Sequence, residues 1–312
     1  MNPPLNLVFA GTPAFAVPTL EGLVQAGFLV RLVITQPDRP RGRGMELAYS
    51  PVKQKSLQLG LPTIQPGRIK DNQELRGELS AINPDAIIVV GYGRIIPQWM
   101  IELPRLGNIN LHASLLPRYR GAAPIQWAIA NGDAITGVTT MRIDAGLDTG
   151  DILLQKELAI MPDETAEMLG PRLATIGATL MIDTLKGLNE WATQPRAQDH
   201  SRATQAPTLT REDGRIDFHR SGTEIWNRLR GFQPWPGAFT KFRDKNLHVW
   251  EARPVHDRAS AGELVIQNDR LIVGCGANSA LELRVVQPEG KKRMSALDFI
   301  HGYRPRPGEM LG

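Results

Sequence analysis

Two side chains that could do chemistry stand two residues apart, Asn110 and His112. The residues around them alternate in a strand-like pattern, and a strand would point both side chains to the same face. A carboxylate follows at Asp148, in a glycine-flanked loop. An amide that stabilises an oxyanion, an imidazole that handles a proton and an acid that orients the imidazole form a minimal set for acyl transfer. The three residues therefore predict an acyl-transfer site.

Each of these residues also has a simpler interpretation. A histidine at the end of a strand is more often a hydrogen-bonded core residue than a catalyst. Asp144 and Asp148 lie close to glycines, where aspartate most often caps a turn. The combination favours catalysis, because Gly146 and Gly150 let this loop turn sharply and approach a ligand, and Asp148 can pair with an imidazolium.

The elements that must position these residues alternate between short apolar runs and amphipathic stretches. Apolar runs predict strands at residues 5–10, 29–35, 85–90, 108–111, 138–143 and 152–160, and helices are expected after Pro13, over 51–60 and over 165–188. Strands that alternate with helices predict an α/β fold, a Rossmann-like open and mainly parallel sheet with helices on both faces. Ligands bind such sheets beyond the carboxyl ends of the strands, where the strand order reverses, and we expect His112 there. Pro171 predicts a kink or a break in the last of these helices.

The pattern changes in the last third of the chain. Residues 190–207 have no periodicity and few large apolar side chains, which predicts a linker. A helix signal over 223–231 then precedes short strands at 238–242, 247–252, 262–266, 271–274 and 281–286, as expected for a small antiparallel barrel. We therefore expect domains at residues 1–189 and 208–312, joined by the linker 190–207.

Composition is typical of a soluble globular protein: the 312 residues, enough for two domains, are 42% hydrophobic and 22% charged. The sequence has no signal-peptide pattern and no apolar run long enough to cross a bilayer, and its single cysteine, Cys275, excludes an internal disulfide. These features predict a cytoplasmic protein without a membrane partner. Of 36 Lys+Arg and 32 Asp+Glu, 17 and 13 lie from Leu209 onward, so the excess of positive charge is C-terminal. Ordinary scatter would explain this excess, and so would a polyanionic partner.

Two short basic groups could bind phosphates. The first contains Arg39, Arg41 and Arg43 in a loop rich in Gly and Pro, and the second is Lys291-Lys292-Arg293. Solvated surface loops are the alternative for both, whereas together they could hold a long polyanion. The fingerprints of dinucleotide and P-loop sites are absent from the sequence, and the scattered histidines with one cysteine give no metal-ligand cluster.

The motifs resemble the methionyl-tRNA formyltransferase family over nearly the whole chain. The segments that carry this resemblance are Val8-Phe-Ala-Gly-Thr-Pro13, Gln36-Pro-Asp-Arg-Pro40, Gly42-Arg-Gly44, Ser50-Pro-Val-Lys53, Asn110-Leu-His-Ala-Ser-Leu-Leu-Pro-Arg-Tyr-Arg-Gly-Ala-Ala-Pro-Ile-Gln126, Gly146-Leu-Asp-Thr-Gly-Asp151, Phe232-Gln-Pro-Trp-Pro-Gly237 and Gly290-Lys-Lys-Arg-Met-Ser295. The central segments are shared by all folate-dependent formyltransferases. They are therefore specific for the chemistry and not for the acceptor.

The resemblance implies formyl transfer from 10-formyltetrahydrofolate to the α-amino group of initiator methionyl-tRNA, without a metal. It makes Asn110, His112 and Asp148 the catalytic residues. The folate site would be lined by Ser114, Leu115, Leu116 and Pro117, with Val90, Gly91, Tyr92 and Asp144 around the pterin. The tRNA contacts would be Arg39, Arg41, Arg43, Lys291, Lys292 and Arg293, with Arg43 as the matching key arginine and an OB-like C-terminal barrel on the tRNA backbone.

One departure from the family pattern lies directly after the basic loop. Met45-Glu46 follows Gly44, where family members often have lysines, so the loop carries less positive charge than usual. A formyltransferase acting on an amino-sugar nucleotide is the first alternative, and it would need a nucleotide pocket instead of the basic loop. An RNA-binding module without catalysis is the second, and the joint presence of the three catalytic residue types argues against it. Nothing in the sequence demands more than a monomer.

Overall fold

The computed structural model describes residues 4–41, 46–306 and 308–312. The chain divides into two compact units, each assembled from three separate stretches of sequence. The first unit comprises Met1–Ala122, Ile135–Ala159 and Gly170–Ala206, and the second comprises Ala123–Ala134, Ile160–Leu169 and Pro207–Gly312.

The first unit is built on a seven-stranded sheet, with strands at β1 (Asn6–Gly11), β2 (Leu29–Ile34), β5 (Thr63–Ile64), β6 (Ala86–Val90), β7 (Asn108–His112), β8 (Ile135–Arg142) and β9 (Ile152–Ala159). A further short pair consists of β3 (Arg39–Arg41) and β4 (Glu46–Ala48). The sheet order is β5-β2-β1-β6-β7-β8-β9, parallel as far as β7 and antiparallel for β8 and β9. Runs of Val and Ile form its centre because both faces of these strands are buried.

Helices cover both faces of this sheet. They are α1 (Val17–Gln25), α2 (Pro51–Gln58), α3 (Gln73–Ile82), α4 (Gln98–Ile101) and the part of α6 (Ala166–Asn189) that follows Leu169. Leu75 and Leu79 of α3 share a buried cluster with Val89, which is paired with Asn110 and so lies on the same face. On the opposite face, a Cβ at Gly177 of α6 would come within 2.7 Å of Leu111.

The second unit combines an antiparallel sheet with three helices. The strands are β10 (Ala238–Phe242), β11 (Lys245–Val255), β12 (Leu264–Gln267), β13 (Arg270–Cys275), β14 (Ser279–Pro288) and β15 (Met294–Ser295), and the helices are α5 (Pro124–Ala130), α7 (Gly222–Gly231) and α8 (Ala296–Tyr303). Alternate residues such as Leu247, Val249 and Leu283 point into one core with Phe299. The predicted fold class, a Rossmann-like α/β unit followed by a smaller antiparallel β unit, is confirmed.

The prediction of a kink or a break at Pro171 is wrong. The helix α6 runs through Pro171 without interruption from Ala166 to Asn189. Proline removes one backbone hydrogen bond, here to a carbonyl in the first turn of the helix. Packing of the long apolar face that follows, including Leu173 and Met181, outweighs that local loss.

Several residues of the predicted linker 190–207 make backbone hydrogen bonds within the first unit. Residues up to Ala206 belong to the first unit. Arg196 and Ile152 exchange backbone hydrogen bonds, and the backbone of Arg120 is bonded to Thr204 and Ala206. The segment lacks periodicity because it pairs with loops and strand ends, which impose no repeat on its side chains.

Candidate active site

Strand β7 carries Asn110 and His112 on one face. Its backbone is paired with β6 on one side and β8 on the other, so neither residue can shift along the strand alone. Asn110 is half-buried, and its side-chain amide makes no hydrogen bond within the described part of the chain. His112 is buried, with 6% of its surface exposed. The fixed strand backbone therefore presents an amide donor beside an imidazole, as the sequence predicts.

The two nitrogens of the His112 ring have different neighbours. Nε2 lies 2.8 Å from the backbone carbonyl oxygen of Tyr119, and a carbonyl can only accept, so Nε2 carries a hydrogen and donates it. Nδ1 faces Asp148, whose Oδ2 is 3.7 Å away. This is too long for a direct hydrogen bond but close enough for a charge interaction. Nδ1 is therefore the ring atom that is free to exchange a proton.

Asp148 is held in place by Gly121. The backbone N–H of Gly121 donates to Oδ2 of Asp148 at 2.8 Å. Gly121 has φ +119°, and a Cβ at this position would lie 2.7 Å from the carbonyl oxygen of Ala206. Only glycine fits this combination of backbone angle and close approach. The Arg120-Gly121 turn thus brings a backbone donor to the carboxylate.

Asp144 supports its own loop. Its Oδ1 accepts hydrogen bonds from the backbone of Gly146 at 3.0 Å and from the hydroxyl of Thr149 at 2.6 Å, and the residue is exposed. This is the turn-capping geometry that the sequence offered as the simpler interpretation. A role of Asp144 beside a pterin stays a prediction.

The loop that follows β7 is anchored by the neighbouring antiparallel strands. The buried Ser114 hydroxyl donates to the carbonyl of Arg118 at 2.6 Å, and the Ser114 carbonyl accepts from Thr139. Gln155 donates to the carbonyl of Leu116, whose side chain is buried with Met141 and Ile152. Leu115 and Pro117 are only partly buried. These two residues are thus the ones in Ser114–Pro117 whose side chains a ligand could reach.

At the end of β6, the backbone rather than the side chains is available to a ligand. Val90 and Tyr92 are buried, and burial raises the pKa of the Tyr92 phenol. The carbonyl of Tyr92 accepts from Gln36 Nε2 at 3.0 Å, while Gly91 is exposed with φ +55°.

The strand order reverses between β1 and β6. The expectation that His112 lies at this switch point is therefore corrected, because His112 ends β7, which lies one strand away. The reason is that β7 adds to β6 in the same direction along the sheet. Val90 and Gly91 mark the actual switch.

The predicted tRNA contacts fall on both units. Arg43 lies outside the described residues, and for Arg39 and Arg41 the structure describes the backbone of β3. Lys291, Lys292 and Arg293 are exposed. The guanidinium of Arg293 stacks on the ring of Trp250, 3.3 Å from its centroid. The second group is therefore a basic surface with an aromatic platform.

Sequence reasoning missed the residues that hold His112 and Asp148. They are Tyr119, whose carbonyl fixes His112, Gly121, and the buried Gln198, whose amide donates to the Asp148 carbonyl at 2.9 Å. Gly121 lies within the segment Asn110–Gln126 that carries the family resemblance, so the sequence did offer a signal for its importance. Gln198 gave none, because its partners lie far away in the sequence.

Across residues 4–41, 46–306 and 308–312, no three His, Cys, Asp or Glu side chains are grouped so that they could hold a metal ion. In the same residues, no helix has the length and apolar character needed to cross a membrane.

Comparison with known proteins decides the family. The formyl transferase family matches residues 5–185, and the formyl transferase C-terminal domain matches residues 208–304. The methionyl-tRNA formyltransferase of Koribacter versatilis is 64% identical over 306 residues, 98% of this chain and 98% of that protein. The chain belongs to the methionyl-tRNA formyltransferase family. The enzyme of the same name from Acidobacterium capsulatum is 59% identical over 99% of this chain and 100% of its own.

Solved structures share the fold at lower identity. An N-formyltransferase from Helicobacter canadensis, described as a complex with folinic acid and dTDP-3-aminofucose, superposes with a TM-score of 0.68. It is 19% identical, and the match covers 91% of this chain and 99% of that chain. At this identity the likeness supports the fold class and leaves the acceptor open.

Proposed function

We propose that the chain transfers the formyl group of 10-formyltetrahydrofolate to the α-amino group of methionine on initiator tRNA, giving N-formylmethionyl-tRNA for translation initiation. The observation that carries this proposal is the group of Asn110, His112 and Asp148 at the end of β7, in a chain 64% identical to a methionyl-tRNA formyltransferase. The folate supplies an activated formyl carbon, so the protein has to supply position and electrostatics.

Asn110 is assigned to the formyl oxygen. When the methionyl amine attacks the formyl carbon, the bound oxygen becomes negative. The Asn110 amide has no partner among the described residues, so its N–H groups are available to donate to that oxygen. Loss of one such donor typically lowers the rate by about 10²–10³.

His112 and Asp148 are assigned to charge and proton handling. The attacking amine loses a proton overall, and the departing N10 of tetrahydrofolate gains one. Nδ1 of His112 is the ring atom that can carry this proton, because Nε2 is committed to the carbonyl of Tyr119. The Asp148 carboxylate, 3.7 Å from Nδ1, stabilises positive charge on the ring, whose orientation is fixed by the carbonyl of Tyr119.

We place the folate beside the ends of β6 and β7. Leu115 and Pro117 are partly exposed and supply apolar contact, and the exposed Gly91 lies at the switch point where open α/β sheets bind ligands. The proposed set remains Val90, Gly91, Tyr92, Ser114, Leu115, Leu116, Pro117 and Asp144. Val90, Tyr92 and Ser114 would act through their backbone, because their side chains are buried.

We further propose that residues 1–189 carry the chemistry and residues 208–312 contact tRNA, with the boundaries at 189 and 208. The basic loop with Arg39, Arg41 and Arg43 would meet the acceptor stem. The exposed Lys291, Lys292 and Arg293 would meet backbone phosphates, for which flexible ammonium groups and guanidinium groups are suited. We expect a cytoplasmic monomer.

The test is formylation of methionine-charged initiator tRNA by 10-formyltetrahydrofolate, measured for the natural chain, His112→Ala and the control His256→Ala. His256 is an exposed histidine of the second unit. We expect rapid formylation by the natural chain and the control, and a loss of about 10²-fold or more for His112→Ala.

Two results would contradict this proposal. If the natural chain binds the folate without formylating the tRNA, the acceptor is wrong and amino-sugar nucleotides are the next substrates to assay. If His112→Ala keeps its rate, the catalytic site is wrong.

A further inference from the structure

Gln198 is a buried polar side chain that the mechanism above does not use, and 6% of its surface is exposed. Its Nε2 donates to the carbonyl of Asp148 at 2.9 Å and to that of Gly150 at 2.7 Å. Its Oε1 accepts from Nη2 of Arg120 at 2.6 Å and from Nε at 3.2 Å. Carbonyls can only accept and a guanidinium can only donate, so the orientation of this amide is fixed by its partners. Every hydrogen-bonding position of the side chain is used.

The loop that Gln198 holds needs support. Asp148 has φ +52°, a left-handed conformation that is unfavourable for a non-glycine residue unless its surroundings fix it. The neighbouring Gly150 packs so tightly that a Cβ would lie 2.0 Å from the carbonyl of Arg142. The two N–H groups of the Gln198 amide donate to the carbonyls of Asp148 and Gly150, the residues on either side of Thr149. Gln198 therefore holds the backbone of Asp148, while Gly121 holds its carboxylate.

Arg120, which donates to Oε1 of Gln198, belongs to the loop whose Tyr119 carbonyl orients His112. Arg120 is buried, and it lies between Tyr119, whose carbonyl accepts from His112, and Gly121, whose N–H donates to Asp148. Its Nη2 also lies 3.0 Å from Nδ1 of His200. The Arg120–Gln198 contact thus joins the loop that orients the histidine to the loop that carries the carboxylate.

A second contact from the same segment fixes the Tyr119 end. The backbone N–H of Tyr119 donates to the hydroxyl of Thr204 at 2.9 Å. The backbone N–H of Arg120 donates to the carbonyl of Thr204, and the N–H of Ala206 to the carbonyl of Arg120. Residues 198–206 thus brace both loops from one side.

From these contacts we propose that Gln198 is a positioning residue for formyl transfer, which sets the separation between Nδ1 of His112 and the carboxylate of Asp148. This inference rests on the proposed function. Gln198 touches neither reactant in this assignment. It acts through Asp148, and its loss therefore lowers kcat and leaves the affinities for folate and tRNA unchanged.

The experiment compares three variants with the natural chain in the formylation assay. Gln198→Met keeps the length of the side chain and removes all its hydrogen bonds. Gln198→Glu keeps an acceptor for Arg120, so the buried guanidinium stays paired, and it replaces both donors to the Asp148 loop by an oxygen that repels their carbonyls. Gln194→Ala is the control, because Gln194 is exposed in the same segment and, among the residues that the structure describes, its side chain bonds only to the carbonyl of Trp191.

We expect kcat to fall about 10- to 100-fold for Gln198→Met and Gln198→Glu, with both KM values within about twofold of the natural chain and no change for Gln194→Ala. A second readout separates positioning from general stability. In an Asp148→Asn background the same Gln198 substitutions should lower kcat by less than about threefold, since their target is already lost.

Several results would overturn the inference: kcat within threefold of the natural chain for Gln198→Glu, the full loss of kcat repeated in the Asp148→Asn background, or KM values that rise while kcat is kept. If Gln198→Met does not fold, the same criteria apply to Gln198→Glu. Failure of the proposed function would be distinguished at once, because the natural chain itself would not formylate the tRNA.

Discussion

Replacing Gly121 by alanine should damage both the stability and the chemistry of the first unit. The new Cβ would lie 2.7 Å from the carbonyl oxygen of Ala206, so this backbone must move by about 0.7 Å to reach an ordinary contact. If this movement is directed away from Asp148, it lengthens the 2.8 Å hydrogen bond from Gly121 to as much as about 3.5 Å, beyond the range of a good bond. Alanine at φ +119° adds backbone strain of about 1–3 kcal/mol.

The expected loss in the free energy of unfolding is the sum of two of these effects. The strain and the loss of a hydrogen bond to a charged group, about 1.5–3 kcal/mol, together lower the free energy of unfolding by roughly 3–6 kcal/mol. For a chain of this size that corresponds to a fall in Tm of about 5–9 °C. A displaced Asp148 should lower kcat by about 10- to 100-fold.

The measurements are thermal unfolding and the formylation rate, with Gly60→Ala as the control. Gly60 has φ +66°, and a Cβ there would have no atom within 4 Å, so this substitution adds left-handed strain without a clash. We expect it to cost about 1–2 kcal/mol and to leave kcat unchanged. If Gly121→Ala unfolds at the same temperature as Gly60→Ala and keeps its kcat, the close approach to Ala206 does not hold Asp148.

Three further predictions concern other parts of the chain. Arg43→Ala should weaken tRNA binding and reduce the slope of log K against log salt by about one, with the folate affinity unchanged. The control Arg31→Ala should keep the slope of the natural chain. Equal slopes for the two variants would contradict the assignment of the basic loop to tRNA. Burial raises the pKa of the Cys275 thiol to about 12, so a thiol reagent at about pH 8 should modify it only after unfolding, and rapid modification of the folded chain would refute this. The hydrogen bond from Arg243 lowers the pKa of Glu309, so this pairing stabilises the fold above the ordinary glutamate pKa and is lost as the pH falls through the lowered value. Glu309→Gln should therefore lower the free energy of unfolding in urea near neutral pH and lower it less near pH 2, and an effect of equal size at both would speak against the pairing.

The sequence was sufficient for features that depend on local periodicity. Alternation along 108–112 places Asn110 and His112 on one face because that is a property of any strand. The two-unit fold class followed from the change in pattern after residue 207. Loop contacts are different, since Asp148 meets Gln198 across 50 positions and Tyr119 meets Thr204 across 85.

Local propensity gave wrong or missing results where packing decides. Pro171 is tolerated because one face of α6 is buried. The short helix α5 went unpredicted, since its seven residues are too few for a clear period and its position is fixed by packing of Trp127 on Phe232. The helix α8 was also missed, although Ser295 caps it through a hydrogen bond from the backbone N–H of Asp298 at 3.1 Å. That cap was a readable signal.

The interleaving of the two units limits how the chain can be cut. A fragment that begins at Pro207 would lack Ala123–Ala134 and Ile160–Leu169, which belong to the same unit. Phe232 and Leu209 would then lose the cover of Ala123, Ala130 and Trp127 and turn apolar surface towards water. During synthesis, likewise, residues 123–134 must wait for partners that are made nearly a hundred residues later. The second unit is therefore expected to complete its core only when the ribosome has almost finished the chain, although its first helix is made before the middle of the sequence.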